Sequence, residues 1–303
     1  MGEPFMLPPI RSWLYAPGNN AKLLARAPQT EADAVIFDLE DSVPRGEKER
    51  ARAMVAEAIA GSLSGGYPFL FVRVNHPETG LTQAEVQAVV RPGLAGLRVP
   101  KMESARSVQL VAEWVAEAEA AAGLAAGSVA LVLGIESAVG LWRAVEIAEA
   151  DPRVHALAFG AVDFAKDVDA RPESSDGREL LYAKSRLVVA SRVAGVRAPV
   201  DSVYPKLDDD DGLERETRAG RALGFYGKSA IHPRQLATIN RVYTPSDAEL
   251  ALANEIVEAA EQAEDLGIGA LRLPNGEFVD VPIVERARAL LDLAARLAAS
   301  DRR

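Results

Sequence analysis

The sequence predicts an α/β fold, a (β/α)8 TIM barrel carrying a C-terminal helix–hairpin–helix extension, and three observations predict it. One phrase repeats along the chain: a short apolar run rich in β-branched residues, a polar turn, then an Ala/Leu/Glu/Arg-rich helical stretch. Most of the apolar runs are continuously hydrophobic, as parallel strands covered on both faces should be. Strand-then-helix units recur over roughly 230 residues, close to the ~250 of a typical barrel. The competing architecture, a doubly wound open sheet, should carry a Gly-rich phosphate turn after its first strand. Here that turn reads Ala16-Pro17-Gly18-Asn19-Asn20, with a single glycine, so the barrel is preferred.

In chain order the expected strands are Trp13–Ala16, Ala34–Leu39, Phe69–Val74, Gly96–Val99, Ala130–Ile135, Leu157–Gly160, Val200–Tyr204 and Phe225–Ala230. Between them the helical stretches Glu47–Ala60, Ser104–Ala122, Ala138–Ala150, Asp176–Val196 and Leu213–Leu223 are long enough to serve as crossovers. The barrel is assigned to residues 1–241. The extension, 242–303, reads as a helix over Ser246–Leu266, a hairpin over Ala270–Asp280 turning at Pro274-Asn275-Gly276, and a final helix over Pro282–Ala299. It is too short for an independent core and must pack on its own barrel or on a neighbour. The acidic run Asp208–Asp211 suits a solvated helix N-terminus better than a metal site, because consecutive residues do not converge on one ion.

The chain has 303 residues, and 34 Lys+Arg against 44 Asp+Glu give 34 − 44 = −10. That balance argues against a nucleic-acid partner, although a few clustered cations could still hold an anionic ligand. Cys is absent, which removes disulfides, thiolate metal sites and a cysteine nucleophile, and agrees with a cytoplasmic address. The start MGEPFMLPPIRSW lacks the cationic and apolar regions of a signal peptide, and no apolar stretch approaches the ~20 residues of a membrane span.

Barrel enzymes draw their catalytic groups from the C-terminal ends of the strands. Polar residues gather there: Asp38-Leu39-Glu40-Asp41, Arg73-Val74-Asn75, Pro100-Lys101, Gly134-Ile135-Glu136-Ser137, Gly160-Ala161-Val162-Asp163 and Gly227-Lys228-Ser229 before His232. Glu136 and Asp163 follow consecutive strands, about 4.8 Å apart, so their carboxylates can reach a common point. Without a nearby His or Cys, such a pair suits a hard cation, Mg²⁺ or Mn²⁺ in its place. Glu40 and Asp41, with Asp38, could hydrogen-bond that ion's waters. Arg73 could clamp a substrate carboxylate or stabilise an oxyanion, or else form an ion pair with Glu40 or Asp41. Lys101, Lys228 and His232 add positive charge to the same rim, where barrels often bind phosphate. A divalent ion, an arginine and no evident nucleophile suit carbon–carbon cleavage or formation through an electrostatically stabilised enolate.

These phrases resemble the citrate lyase β-subunit-like proteins of the malyl-CoA lyase and HpcH/HpaI aldolase superfamily. The matching segments, in family order over nearly the whole chain, are Arg11–Asn19, Asp33–Asp41 with Lys48 and Ala51-Arg52, Val72–Asn75, Val99–Ser104, Gly134–Ser137, Phe159–Phe164, Gly227–Pro233 and Gly276–Asp280. The resemblance implies a Mg²⁺-dependent lyase that splits a citryl-, citramalyl- or malyl-type thioester into an acetyl thioester and a 2-oxo acid, or runs the condensation. It implies metal on Glu136 and Asp163, substrate on Arg73, Asn75 and the Gly160, Ala161 and Asp163 backbone, and the thioester's nucleotide near Arg11, Asn19, Lys101 and His232. It also implies a homotrimer or higher homo-oligomer, in which Asp280 acts as acid/base in a neighbour's site, with a CoA thioester or an acyl-carrier subunit bearing the acyl group. The alternatives are an aldolase acting on free hydroxy-oxo acids and a non-catalytic 2-oxo-acid-binding subunit. The chain departs from the family pattern at Asp169, where relatives often have Gly.

Overall fold

The computed structural model describes residues 7–61, 68–171, 177–265, 271–272, 276 and 278–300. Eight parallel strands, β1 (Ser12–Pro17), β2 (Ala34–Asp38), β3 (Phe69–Arg73), β4 (Leu94–Val99), β5 (Ala130–Ile135), β6 (Val154–Phe159), β7 (Arg197–Val200) and β8 (Lys228–Ala230), run in the order β7-β6-β5-β4-β3-β2-β1-β8. The ring closes between β7 and β8, where the Asp201 N–H donates to the Gly227 carbonyl at 2.9 Å and the Ser229 N–H to the Asp201 carbonyl at 3.0 Å. The fold is the TIM barrel that the repeat of apolar runs anticipates. Helices α1 (Ala21–Arg26), α2 (Lys48–Gly61), α3 (Thr82–Val89), α4 (Ala105–Ala121), α5 (Ala138–Trp142), α6 (Ala144–Ala148), α7 (Ala161–Asp167), α8 (Leu181–Val193), α9 (Asp210–Leu223) and α10 (Leu236–Tyr243) alternate with the strands or follow the last.

Strand alternation sorts the side chains into two sets. Trp13 and Phe71, with ring centroids 4.8 Å apart, belong to the inner set with Ile36. Val35, Phe37, Val72 and Leu97 point the other way and are fully buried. Each such side chain contributes about 1.5–3 kcal/mol through burial. Because both faces are covered, the strands read as unbroken apolar runs. The helices start where the strands deliver polar residues: the Ser104 hydroxyl accepts the Ser107 N–H at 3.2 Å to cap α4, and the Ser137 hydroxyl accepts the Gly140 N–H at 3.1 Å to cap α5. Asp209 caps α9, with Asp210 and Asp211 in its first turn, as the acidic run suggests.

Four expected elements are corrected. The seventh strand is Arg197–Val200 and not Val200–Tyr204, because the Tyr204 carbonyl accepts the Gln235 side-chain amide at 2.8 Å, outside any strand ladder. The eighth is only Lys228–Ala230, since Gly227 has φ +93° and a Cβ there would lie 2.5 Å from the Ile10 carbonyl. The helix expected over Ala138–Ala150 is two helices, α5 and α6. Arg186 donates to the Leu141 and Trp142 carbonyls at 3.3 and 2.9 Å, taking acceptors that a continuous helix would need. The helix expected from Asp176 begins at Leu181, and Asp176 itself lies outside the described residues. Asp169 has φ +53°, so the departure from glycine falls at a left-handed position, which Asp tolerates better than most residues.

By compactness the chain divides into two units, one holding Ile10–Val242 and the other Tyr243–Arg303 with Leu7–Pro9. In the second unit, α11 (Asp247–Asp265) and α12 (Val281–Ser300) flank a short antiparallel pair, β9 (Leu271–Arg272) and β10 (Phe278–Val279). Ala253, Ile256, Val279 and Ala287 form its core, with Ile283, Val284 and Leu290 packed against it. Pro274 and Asn275 of the expected turn, and Glu277, lie outside the described residues. Among the described residues, no helix is long and apolar enough to cross a membrane.

Candidate active site

The C-terminal ends of β2 to β6 bring one cluster of charge together. Arg73, the last residue of β3, donates through Nε and Nη2 to the two carboxylate oxygens of Asp38 at 2.7 and 2.8 Å. Its Nη1 lies 2.7 Å from Glu40 Oε2 and 3.4 Å from Asp41 Oδ2, and its guanidinium sits 4.9 Å above the Tyr15 ring. Lys101 holds the other oxygen of Glu40 and approaches Asp41 at 3.6 Å. It does so from a left-handed backbone with φ +56°, a costly conformation for a residue with a Cβ and one that recurs at functional sites. Thus both readings of Arg73 meet in one place: it is at the mouth of the barrel, and much of its donor capacity is spent on Asp38 and Glu40.

These groups titrate abnormally. Burial works against the Asp38 carboxylate, but the Arg73 hydrogen bonds outweigh it and hold Asp38 below the usual carboxylate range. For Glu40 burial dominates over the Arg73 and Lys101 cations and pushes it up to about 7. A carboxyl at about 7 when folded against ~4.3 when unfolded favours the folded state most below the lower value. That contribution is lost as pH rises through about 7. The ionised form, in contrast, is the one that grips Arg73 and Lys101. We expect kcat/KM to decline on the acid side with an apparent pKa near 7, and Glu40→Gln to flatten that limb; an unaltered profile in the variant contradicts the assignment.

Glu136 follows β5 and Asp163 lies in the first turn of α7, directly after β6. Neither carboxylate has a hydrogen bond or ion pair to another described residue. Burial raises the Glu136 carboxyl above its ordinary value against the pull of Lys101 and Arg98, and the Asp163 charge adds to the rise. The glycines beside it make the fit tight: a Cβ on Gly160 would stand 2.6 Å from Glu136 Cγ, and one on Gly134 would collide with Glu136 Oε1. Two mutually repelling, unpartnered carboxylates in a glycine cradle form a donor set that suits Mg²⁺, which commonly takes one or two carboxylates with water and substrate oxygens. No group of three or more His, Cys, Asp or Glu placed to hold a metal occurs among the described residues. The Gly160 N–H donates to the Ile135 carbonyl at 3.1 Å and the Ala161 N–H to the Ser202 hydroxyl at 3.2 Å.

The other expected site residues divide. Asn19, after β1, donates to Glu47 at 2.8 Å, and His232, after β8, caps the turn at Pro233–Gln235 and is exposed; both follow strand C-termini, as Lys101 does. Asn75 is buried with its amide donating to the Leu39 carbonyl at 2.9 Å and to Glu85, and accepting from Lys48 at 3.0 Å. It holds the β2 and β3 ends together and presents no donor to a ligand. Arg11 and Lys228 are corrections to the expected rim. Arg11 precedes β1 and forms a buried ion pair with Asp33, which precedes β2, at 2.8 Å. Lys228 opens β8 and is wholly buried between Asp201 at 3.1 Å and Glu216 at 2.6 Å, with Lys184 on the other Asp201 oxygen at 2.9 Å. Both cations belong to the frame. In the second unit the Asp280 carbonyl accepts the Ile283 and Val284 N–H groups at 3.1 Å, and its side chain starts α12.

Sequence reasoning passed over Arg98, which is 5% exposed on β4, and over Lys184. A signal for Arg98 existed: a cation in an otherwise apolar strand, three residues before Lys101.

A family model described as HpcH/HpaI aldolase/citrate lyase matches residues 11–233. The chain is 39% identical over 284 residues to the citrate lyase subunit beta of Escherichia coli strain K12, covering 94% of this chain and 93% of that one. It is 33% identical over 310 residues to the L-malyl-CoA/beta-methylmalyl-CoA lyase of Cereibacter sphaeroides, covering 96% of both. Among solved structures, CitE from Mycobacterium tuberculosis in complex with magnesium, acetoacetate and coenzyme A superposes with a TM-score of 0.75 at 27% identity, covering 95% of this chain and 98% of that one.

Proposed function

The chain belongs to the HpcH/HpaI aldolase/citrate lyase family, and from that premise we propose that it is a Mg²⁺-dependent carbon–carbon lyase acting on a citryl-, citramalyl- or malyl-type thioester. The products are an acetyl thioester and a 2-oxo acid: oxaloacetate, pyruvate or glyoxylate. The observation that carries the reading is the unpartnered Glu136–Asp163 pair beside Arg73 and Lys101 at the strand C-termini. Glu136 and Asp163 would hold the ion, Mg²⁺ or Mn²⁺, and when bound it polarises the oxygens of the 2-oxo acid.

Cleavage breaks the bond between the hydroxyl-bearing carbon and the acetyl carbon. The electron pair passes into the thioester as an enolate, the hydroxyl carbon becomes a carbonyl, and the hydroxyl proton leaves to water. Arg73, fixed by Asp38, offers its remaining N–H to developing oxyanion charge. Glu40 and Asp41 keep Arg73 and Lys101 in place, and the Gly160, Ala161 and Asp163 segment borders the carboxylate of the oxo acid. Asp280, from the extension of a neighbouring subunit, delivers a proton to the acetyl carbon. Asn19, Lys101 and His232 line the approach of the thioester, whether the acyl group rides on CoA or on an acyl-carrier protein.

The neighbour is a second copy of this chain in a homotrimer or higher homo-oligomer. Supporting this, Tyr182, Val189 and Val193 are 68, 61 and 62% exposed along one face of α8, and Trp142, 72% exposed, lies against Arg186 of the same face at 5.0 Å. Light scattering should give a mass above the 32.3 kDa of one chain, and Val189→Glu should lower it; a monomeric parent protein removes the neighbour from the mechanism.

The function itself is tested by incubating the purified chain and Mg²⁺ with citryl-, citramalyl- and malyl-CoA and following products by mass spectrometry. Turnover of one of them is expected. No turnover, together with no CoA binding by calorimetry, would instead favour an aldolase of free hydroxy-oxo acids or a non-catalytic subunit.

A further inference from the structure

Arg98 stands apart among the cations of the barrel. It is only 5% exposed, its Nη1 is enclosed without a hydrogen-bond partner, and its guanidinium forms no hydrogen bond or ion pair with another described residue. Arg73 by contrast is spent on Asp38 and Glu40, Lys101 on Glu40, and Lys48 on the Leu39 and Glu40 carbonyls at 2.6 and 2.7 Å.

Its placement follows from register. Arg98 is the β4 partner of Arg73 and pairs with Val132 of β5, two residues before Gly134. It shares a strand face with Gly96, where a Cβ would meet Phe71 Cδ1 at 2.9 Å, so it belongs to the inner set. It is also close enough to Glu136 to favour that residue's ionised form. Arg98 therefore lies on the inner face level with Arg73, one strand away from β5, which leads into Glu136. A buried guanidinium without an anion is strongly unfavourable. Glu136 is the acid at hand, but in the lyase reading its oxygens serve the metal.

We propose that Arg98 receives the second carboxylate of a dicarboxylic 2-oxo acid and so makes the site selective for oxaloacetate, and hence for a citryl-type thioester, over pyruvate and glyoxylate. The inference rests on the lyase reading above. The acid's oxo and adjacent carboxylate oxygens are directed to the Glu136–Asp163 end, and its distal carboxylate meets a planar guanidinium suited to bidentate pairing. Pyruvate and glyoxylate have no group to offer there, and their binding leaves Arg98 uncompensated.

The test is titration calorimetry with Mg²⁺ and freshly dissolved oxaloacetate, pyruvate or glyoxylate, on the parent protein, Arg98→Met and Arg98→Lys, with thermal unfolding of each. The parent is expected to prefer oxaloacetate by about 10- to 100-fold, the range of a hydrogen-bonded charge pair. Arg98→Met should lose that preference by weakening oxaloacetate alone, and should unfold at the same or a higher temperature because an uncompensated buried charge is gone. Arg98→Lys, which keeps the charge but not the fork, should retain only part of the preference, and it decides the matter if the methionine variant does not fold. A parent without preference, or variants that keep it in full, overturn the inference. A parent that binds none of the three acids overturns the lyase reading instead, and the inference falls with it.

Discussion

Replacing Glu136 with alanine is expected to lower kcat by about 10³-fold or more and to abolish Mg²⁺-dependent binding of the 2-oxo acid, while the protein stays folded. The size follows from what the carboxylate does in the proposed chemistry: with one of two protein ligands gone, the several kcal/mol of charge stabilisation supplied by the ion is lost. Folding should survive because Glu136 has no hydrogen bond or ion pair to another described residue, and its removal frees the protein of a carboxylate whose ionisation burial already resists. The glycine cradle supplies an independent check. Gly160→Ala places a methyl 2.6 Å from Glu136 Cγ and should push the carboxylate out of position without touching its chemistry, mimicking the alanine variant in part. Retention of Mg²⁺-dependent oxo-acid binding by Glu136→Ala, measured by calorimetry, would remove Glu136 from the site.

Arg73→Met is expected to damage both stability and activity. The Arg73 and Asp38 side chains are 16 and 2% exposed, and Glu40 beside them is 8% exposed. Methionine fills a similar volume but leaves Asp38 without its two charged donors, a loss of about 3–5 kcal/mol for a broken buried pair. The sign with pH follows from Asp38, whose carboxyl is held down by Arg73 in the folded protein. The stabilisation is present above the unfolded pKa of ~3.9 and lost as pH falls through the lower folded value. The deficit of the variant should therefore be full at neutral pH and shrink in acid, as denaturant titrations at several pH values would reveal. A constant deficit across that range would mean that packing, and not the ion pair, is what methionine removes. Turnover should drop by about 10²- to 10³-fold as an oxyanion donor is lost.

The barrel was legible because parallel strands buried on both faces must be apolar throughout, as in Ala34–Asp38 and Ala130–Ile135. The mouth was legible for a related reason: Asp38, Arg73, Lys101, Glu136 and Asp163 interrupt or end those runs, and a charge at a strand end has to have somewhere to go. Depth along a strand was less visible. Arg11 and Lys228 occur in phrases that also contain candidate site residues, yet they sit at the beginnings of β1 and β8, where Asp33 and Asp201 neutralise them. Linear sequence does not distinguish a cation at a strand's start from one at its end when the strand is only three residues long, as β8 is. Asn75 misled differently, since its saturation depends on Glu85 and Lys48, which only the fold brings to it. Arg98 was hidden because it lies within β4, one residue short of the strand end at which barrel enzymes place their catalytic groups.

The junction between β7 and β8 has a consequence for how the molecule assembles. β8 must join β1 on one side, where Ser12 pairs with Lys228 and a long loop is closed, before the β7 side can shut the ring. The β7–β8 side is thin in ladder bonds, and the buried Asp201 and Lys228 charges gain one another only when it forms. The closing step should therefore come late in folding, and the seam should be among the first parts of the barrel to open. Amide protons of Asp201 and Ser229 are expected to exchange with solvent before those of Ile36 and Phe71 in the middle of β2 and β3; equal protection at the two places would mean that the cylinder opens only as a whole.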